Sequence, residues 1–488
     1  LLISVFIFFI YFLRKKEIII KKEYYLILAL LFVGIIIGKS HDDFPYYHLP
    51  NALEFVENKL EFGLGNLNHG FKHHSSIFYL YSVFYFPIIK FYIFNVLNFF
   101  FLLFAVFFLF DSVNNDLKKF NFNNKSFLKF LFLILFISIF NRIGEYGTDI
   151  TGQLLAGVMI CLILDTVSKK KIIFYDLIII FSFLAYLITI KTYFIIYIIL
   201  PIVLFIFIEN KYSVFKKFIF SKLFVYLFFV GLLFVILNIS ATGCIIYPIS
   251  KLCFPNYFYW GLKLETINYL SNWYEIWAKA GAGPDFREQD PLKYIEGLNW
   301  LNNWIDRYFF NKVSDFLLSI FLGFVIVFSF FRKNFKINNK IEKRQKYILF
   351  TIVFLFLIWF FKFPSLRYGG HILILSILII TFSSFFRFDK VNYYKLNQKF
   401  ILILSISIFI FFSKNLIRIK KEFNYSAVEN FKSFPLFYVK KVNYDEIFID
   451  NEKVFKVEGM CWATPSPCLR NINKRIERKY NYRIYFIK

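Results

Sequence analysis

The feature that most constrains this chain is a recurrence of long apolar runs, each bounded by a short basic loop. Ile93–Phe110, Leu223–Asn238 and Tyr347–Phe361 are examples. A helix needs roughly 20 apolar residues to cross a bilayer, with a range of about 17–25. Several runs sit at the short end of that range, so flanking Tyr, Lys and Asn must reach the interface. Apolar residues make up 58% of the 488-residue chain, against ~45–50% in a soluble domain. The sequence therefore reads as an all-α polytopic transmembrane protein.

The formal charge of +26 would suggest nucleic acid in a soluble protein. Here the cations sit in short loops between apolar runs, where they report orientation instead, so nucleic-acid binding is set aside. The basic loops are Arg14–Lys22, Lys118–Lys129, Lys169–Lys171, Lys211–Lys222, Phe331–Lys346 and Arg387–Lys399. Placing all of them in the cytoplasm requires an even number of crossings between neighbours. Spans at 23–39, 91–110, 127–140, 152–166, 172–190, 192–208, 223–238, 314–330, 347–361, 368–386 and 400–413 satisfy that parity. The run Leu1–Leu13 precedes a basic block, the wrong order for a secretory signal, and is taken as one more span, for about 12 in all.

The outer side then receives Lys39–Ile77, Asn141–Thr151, Ser240–Val313, Phe361–Gly370 and the tail after Lys414. Ile77–Ile89 contains Pro87 and reads as an interfacial or re-entrant helix, because counting it as a span breaks the parity. Residues 1–413 form the membrane domain. Residues 414–488 are more polar, with alternating stretches such as Glu446–Asp450, and read as a small outer domain of α/β or other β-containing type.

Cysteine usage agrees with this sidedness. Cys161 lies in a span, whereas Cys244, Cys253, Cys461 and Cys468 all fall outside. Disulfides persist in oxidising compartments such as the periplasm. Cys244–Cys253 and Cys461–Cys468 are the local pairings, although four cysteines allow three connectivities.

The densest chemistry is His41-Asp42-Asp43-Phe44-Pro45-Tyr46-Tyr47-His48-Leu49-Pro50, just outside a span. Adjacent carboxylates near low dielectric push one pKa upward, which suits a general base or a hard-cation ligand. The plain alternative is a solvated loop that caps the next helix. After Pro50, Leu49, Leu53, Val56 and Leu60 share one face, and Glu54, Glu57, Asn58 and Glu61 the other. That pattern predicts an amphipathic helix lying on the membrane. Five of the six histidines lie in this first outer loop. His41, His69 and His73 are weak candidates for a divalent metal, with sugar or phosphate hydrogen bonding as the alternative.

Other outer segments carry charge that is costly beside a membrane unless paired or wet. Arg142, Glu145 and Asp149 suggest a polar pocket wall, or a structural Arg142–Glu145 pair. Lys362 and Arg367 stand outside against the positive-inside trend. The planar fork of an arginine matches phosphate oxygens; the alternative is an interfacial anchor or an ion pair. Lys191, alone in a tight outer turn, is either a phosphate contact or a snorkelling lysine. The long outer loop carries Trp260, Trp273, Trp277, Trp300 and Trp304, suited to an interfacial belt or to stacking on sugar rings. Gly281-Ala282-Gly283-Pro284-Asp285 reads as a mobile turn.

A short span, then Asp42-Asp43, then Tyr47-His48-Leu49-Pro50 and an amphipathic helix, resembles the GT-C superfamily of integral membrane glycosyltransferases. Pro364–Gly370 (Pro-x-x-Arg-Tyr-Gly-Gly) resembles a late outer motif of some members. The resemblance covers the overall topology and these two short motifs. It implies a polyprenyl-phosphate-linked sugar as donor, a glycan or lipid as acceptor, and catalysis on the outer face of a bacterial inner membrane. Asp43 is the expected carboxylate, with Asp42 an open alternative and Asp149 a second acid. Arg367, with Lys191 or Lys362, would serve the phosphate, and Arg142, Glu145, His48 and Tyr47 would line the site. No cofactor beyond an open divalent metal is implied. A polysaccharide polymerase or ligase would centre on outer Arg and His. A flippase or transporter would place polar groups near the midplane, where these spans have few.

Overall fold

The computed structural model describes residues 22–39, 41–145, 147–280, 290–337, 342–388, 393–424, 431, 433–436, 438–470, 474–479 and 482–487. The run Leu1–Leu13, most of the first basic block and the turn 281–285 lie outside the described residues.

Among the described residues six helices are long and apolar enough to cross a membrane: Phe94–Lys118, Gly147–Val167, Lys222–Thr242, Leu301–Asn334, Lys343–Lys362 and Tyr393–Phe423. Phe174–Ile190, Thr192–Ile206 and Gly370–Phe385 are shorter apolar helices. Asn124–Ile139 is a further helix, begun by an Asn123–Ser126 capping box. Length and apolarity alone thus do not reach a count of twelve. The expected span 23–39 is a short α-helix, Lys22–Leu31, followed by a 3-10 turn, Phe32–Ile35.

The helices differ in what they face. Gly147–Val167 is 89% buried within the protein over its most apolar stretch, whereas Lys222–Thr242 is only 17% buried. The first is the central helix. The second carries an apolar surface with no protein over it, as a lipid-facing helix must. Small residues let neighbours approach the central helix closely: a Cβ at Gly152 would come within 2.3 Å of Phe194, and one at Gly157 within 2.3 Å of Phe136.

The inter-helix loops segregate to two ends. At one end the basic loops touch each other: Arg344 donates to the Lys169 carbonyl at 2.9 Å, Lys125 to Ser168 at 3.2 Å and Lys399 to Asn334 at 2.9 Å. Phe335 pairs with Phe388 in a short two-stranded ladder there. At the other end the Gly38 amide donates to Leu436 at 2.9 Å, the His41 amide to Glu145 at 3.3 Å and the Ser75 hydroxyl to Ile190 at 2.7 Å. The basic loops at 118–129, 169–171, 331–346 and 387–399 therefore gather at one end.

The C-terminal region is small and β-containing. Asp445–Ile449 pairs antiparallel with Glu452–Lys456, which pairs in parallel with Cys468–Leu469, and Lys474–Lys479 forms a hairpin with Tyr482–Ile487. The helix before it, Tyr393–Phe423, runs beyond residue 413. Leu416, Ile417 and Ile419 continue the helical pattern, and buried Arg418 donates to the Val33, Ile36 and Ile37 carbonyls, covering orphan acceptors at the end of the first helix.

This region does not stand apart. Ile449, Val454, Leu469, Ile476 and Tyr485 share a core with Leu64, Leu67 and Phe71. The helix Leu49–Glu57 is correspondingly not a membrane-surface helix. Leu49, Ala52 and Leu53 join the main core, and Glu54 on the polar side is buried too. Ser466 covers it, its amide donating to Glu57 at 2.7 Å and its hydroxyl to Glu54. Both local disulfides form, Cys244–Cys253 and Cys461–Cys468, and Cys161 is buried and free.

Candidate functional site

Four charged side chains from four separate segments meet at the end of the molecule away from the basic loops. Arg367 donates from Nε to Asp149 at 2.8 Å and from Nη2 to Asp43. Lys191 donates to the other oxygen of Asp149. Two carboxylates thus face two cations, each no more than a quarter exposed.

Local structure explains each position. Asp43 sits in a turn closed by the Phe44 amide on the His41 carbonyl at 2.8 Å, and its own amide donates to His41 Nδ1 at 3.2 Å. Wide, π-type turns follow over Phe44–His48. Asp149 lies in the first turn of the central helix, where the helix dipole favours an anion. Lys191 closes the helix Phe174–Ile190.

Arg367 occupies a 3-10 turn ended by Gly369 at φ +96°, a conformation that favours glycine. Trp304 donates to Pro364 at 2.7 Å, Trp359 to Ser365 at 2.9 Å, and the Leu366 amide to the Tyr308 hydroxyl at 2.8 Å. Gln153, one turn below Asp149, donates to the Arg367 carbonyl at 3.3 Å and accepts from Ile372 at 3.3 Å. The central helix and the arginine loop are therefore fixed to each other beside the charges.

The electrostatics depart from the simple repulsion of two neighbouring acids. Asp42 is exposed, while Asp43 is turned inward. Burial works against the Asp43 carboxylate, yet Arg367 and His41 outweigh it and hold its pKa well below the usual range. The raised pKa expected of an adjacent acid pair does not arise at Asp43, because the two side chains do not share an environment. His48 is buried, which lowers its pKa to about 4. Its two nitrogens have no hydrogen-bond partner among the described residues, and its ring packs against Tyr47, Phe78 and the site of Gly147. Tyr368 lies under both cations, its ring centre 4.3 Å from Lys191 Nζ and 5.3 Å from the Arg367 guanidinium carbon.

Other sequence candidates lie elsewhere or pair locally. Lys362 is exposed and binds Glu275 at 3.1 Å, so it stands apart from the Asp43–Arg367 network. Arg142 pairs with Glu145 within its own turn, and the Glu145 carbonyl accepts from the His41 amide. His69 and His73 share the Tyr274 hydroxyl at 3.1 and 2.8 Å, and His41 faces Asp43 at 3.4 Å. Among the described residues no group of three or more His, Cys, Asp or Glu is arranged to hold a metal.

Beside the arginine loop lies an apolar groove of about 510 Å³, lined by residues that include Trp304, Phe309, Phe356, Trp359, Phe360 and Ile374. Trp304 and Trp359 are the same side chains that hold Pro364 and Ser365. Sequence reasoning did not anticipate this groove, which requires three helices to be brought together.

The fold and the charged cluster define a multi-pass helical membrane protein with a small C-terminal β region docked on the segment that carries Leu64, Leu67 and Phe71. The chain belongs to the family described as Domain of unknown function (DUF8201), whose profile matches residues 1–374. No curated protein matches this chain. No solved structure matches it either.

Proposed function

We propose that this protein is a GT-C-like membrane glycosyltransferase, moving a sugar from a polyprenyl-phosphate donor to an envelope acceptor on the outer face of a bacterial inner membrane. The observation that carries the reading is the bridging of Asp43 and Asp149 by Arg367, on a loop whose Pro364 and Ser365 are held by Trp304 and Trp359 of an apolar groove. An isoprenoid chain suits the groove, and its phosphate suits the cations Arg367 and Lys191 of the neighbouring cluster. A transporter would instead centre its polar groups near the bilayer midplane, whereas these charges sit at helix ends.

The chemistry follows from the charge balance. An incoming lipid phosphate competes with the two carboxylates for Arg367 and Lys191. As Arg367 turns to the phosphate, Asp43 loses the partner that depresses its pKa, so its proton affinity rises as substrate arrives. Asp43 then accepts a hydrogen bond from the acceptor hydroxyl. That oxygen bonds to the anomeric carbon, the bond from that carbon to the lipid phosphate breaks, and the phosphate keeps the electron pair. Asp43 takes the hydroxyl proton, and the two cations stabilise the leaving phosphate.

The test is transfer from a radiolabelled polyprenyl-phosphate sugar by protein reconstituted in liposomes. Asp43→Asn, Asp149→Asn and Arg367→Gln should each abolish transfer, and exposed Asp42→Asn should retain it. Full transfer by Asp43→Asn would sink the mechanism.

A further inference from the structure

A line of aromatic rings, in mixed stacked, tilted and edge-on contact, leads away from the charged cluster. Trp277 and Trp273 have ring centres 5.1 Å apart, Trp273 and His69 are 6.3 Å apart, and His69 stacks on Tyr46 at 5.8 Å and 25°. The Arg470 guanidinium carbon stands 5.0 Å over Tyr46 and ends the line. The rings are half-buried and Arg470 is exposed. Arg470 has no acidic partner among the described residues. Tyr46 feels the charge of both Arg470 and Asp43, so the line and the cluster belong to one electrostatic neighbourhood. The groove, by contrast, meets the cluster through Pro364–Leu366.

The row has the chemistry of a glycan rail. Aromatic faces pack against the C–H faces of sugar rings and read shape, not charge. The Tyr274 hydroxyl holds the imidazoles of His69 and His73, so the His69 ring is oriented before any ligand arrives. Burial lowers the His69 pKa to about 4, which leaves its ring neutral at ordinary pH. Among the described residues Arg470 is an exposed cation with no acidic partner at the end of this row, and its planar fork fits a carboxylate or phosphate.

We infer that Tyr46, His69, Trp273, Trp277 and Arg470 form the acceptor site, and that the acceptor is an oligosaccharide carrying a carboxylate or phosphate group. This rests on the glycosyl-transfer reading. Arg470 comes from the C-terminal region, two residues past the loop closed by Cys461–Cys468, so that region contributes directly to substrate choice.

The experiment is binding of an array of neutral and acidic oligosaccharides to the full chain in nanodiscs, followed by tryptophan fluorescence. Acidic members should bind more tightly than neutral ones of the same length. R470Q should weaken the acidic members about 10–100-fold, the range for one charge-assisted hydrogen bond, and leave neutral ones unchanged. R470K should recover part of the preference. W273A should weaken both classes, and W273F should weaken them less. Equal binding of neutral and acidic members, no binding by either class, or no effect of R470Q overturns the inference. D43N separates the two readings. Acidic binding retained in D43N, with no transfer by any variant or the wild type, sinks glycosyl transfer alone. Transfer that is lost in D43N but indifferent to Arg470 sinks the rail alone.

Discussion

Arg367 holds Asp43 and Asp149 with one guanidinium, its Nε lying 2.8 Å from Asp149. The arrangement is mutual compensation in a place where none of the three charges is well solvated. Removing the arginine leaves Asp149 with Lys191 and Asp43 with His41 at 3.4 Å. Breaking a buried pair in this way costs about 3–5 kcal/mol. Arg367→Gln should therefore lower the thermal midpoint in detergent as well as abolish transfer. Arg367→Lys keeps the charge but cannot fork, and should recover stability only in part. A double-mutant cycle with Asp43→Asn should give a coupling of about 0.5–3 kcal/mol, and additive effects would remove the bridge from the account.

Much of this site was legible one loop at a time. Asp43, Asp149, Lys191 and Arg367 each stand out as a charge beside a membrane, where an unpaired ion is expensive, and the structure brings those four together. Periodicity could not choose between Asp42 and Asp43, because adjacent residues point in different directions and the turn alone decides which faces inward. The Glu275 partner of Lys362 lies on the helix Leu264–Lys279, far off in sequence, and nothing in either segment announces the other. The docking of the C-terminal strands was equally hidden. Phe62 bridges Ile484, and Arg483 donates to Glu61 and Asn58. Such contacts depend on tertiary placement that no local pattern encodes.

The disulfide loop should hold the site-bearing segment in place. Trp462 donates its amide to Pro45 at 3.0 Å, Asn68 donates to Cys461 Sγ at 3.3 Å, and Ser466 binds Glu54 and Glu57. Opening a ring of this size costs about 2–3 kcal/mol of chain entropy. Replacing Cys461 and Cys468 by Ser should speed hydrogen exchange in residues 41–57 and leave the helix Asn124–Ile139 unchanged. Unaltered exchange in 41–57 would show that the loop merely rests there.

Gly147 begins the central helix where nothing larger fits. An added Cβ would lie 2.8 Å from His48 Nδ1 and 3.0 Å from the Tyr81 hydroxyl. Overpacking of this kind costs about 1–3 kcal/mol, and the shift would pass to Asp149 two residues on. Gly147→Ala should lower the thermal midpoint and reduce transfer together. The same substitution at Gly231, where nothing lies within 4 Å, should do neither.

The pH dependence of stability has two opposing sources. Burial lowers the pKa values of His48, His69 and His74 to about 4 from an ordinary 6.5. Between those values the unfolded chain binds protons that the folded chain refuses, so stability rises with pH. Acidifying from pH 7 to 5 should therefore lower the thermal midpoint. Glu54 works the other way. Burial, then the charge of Glu61, raises its pKa, against the lowering pull of Ser466, Asn58 and Arg483. Its folded carboxyl keeps a proton that the unfolded chain releases, so its contribution falls as pH climbs above the ordinary carboxyl range. Glu57 and Tyr485 are the other titratable groups around this cluster. Glu54→Gln removes the proton release while keeping a group that can hydrogen-bond Ser466. The variant should gain midpoint relative to wild type as pH rises from 5 to 8.5, while the acid-side loss due to the histidines persists in both. A difference that stays flat over that interval would mean that Glu54 titrates normally in the folded protein.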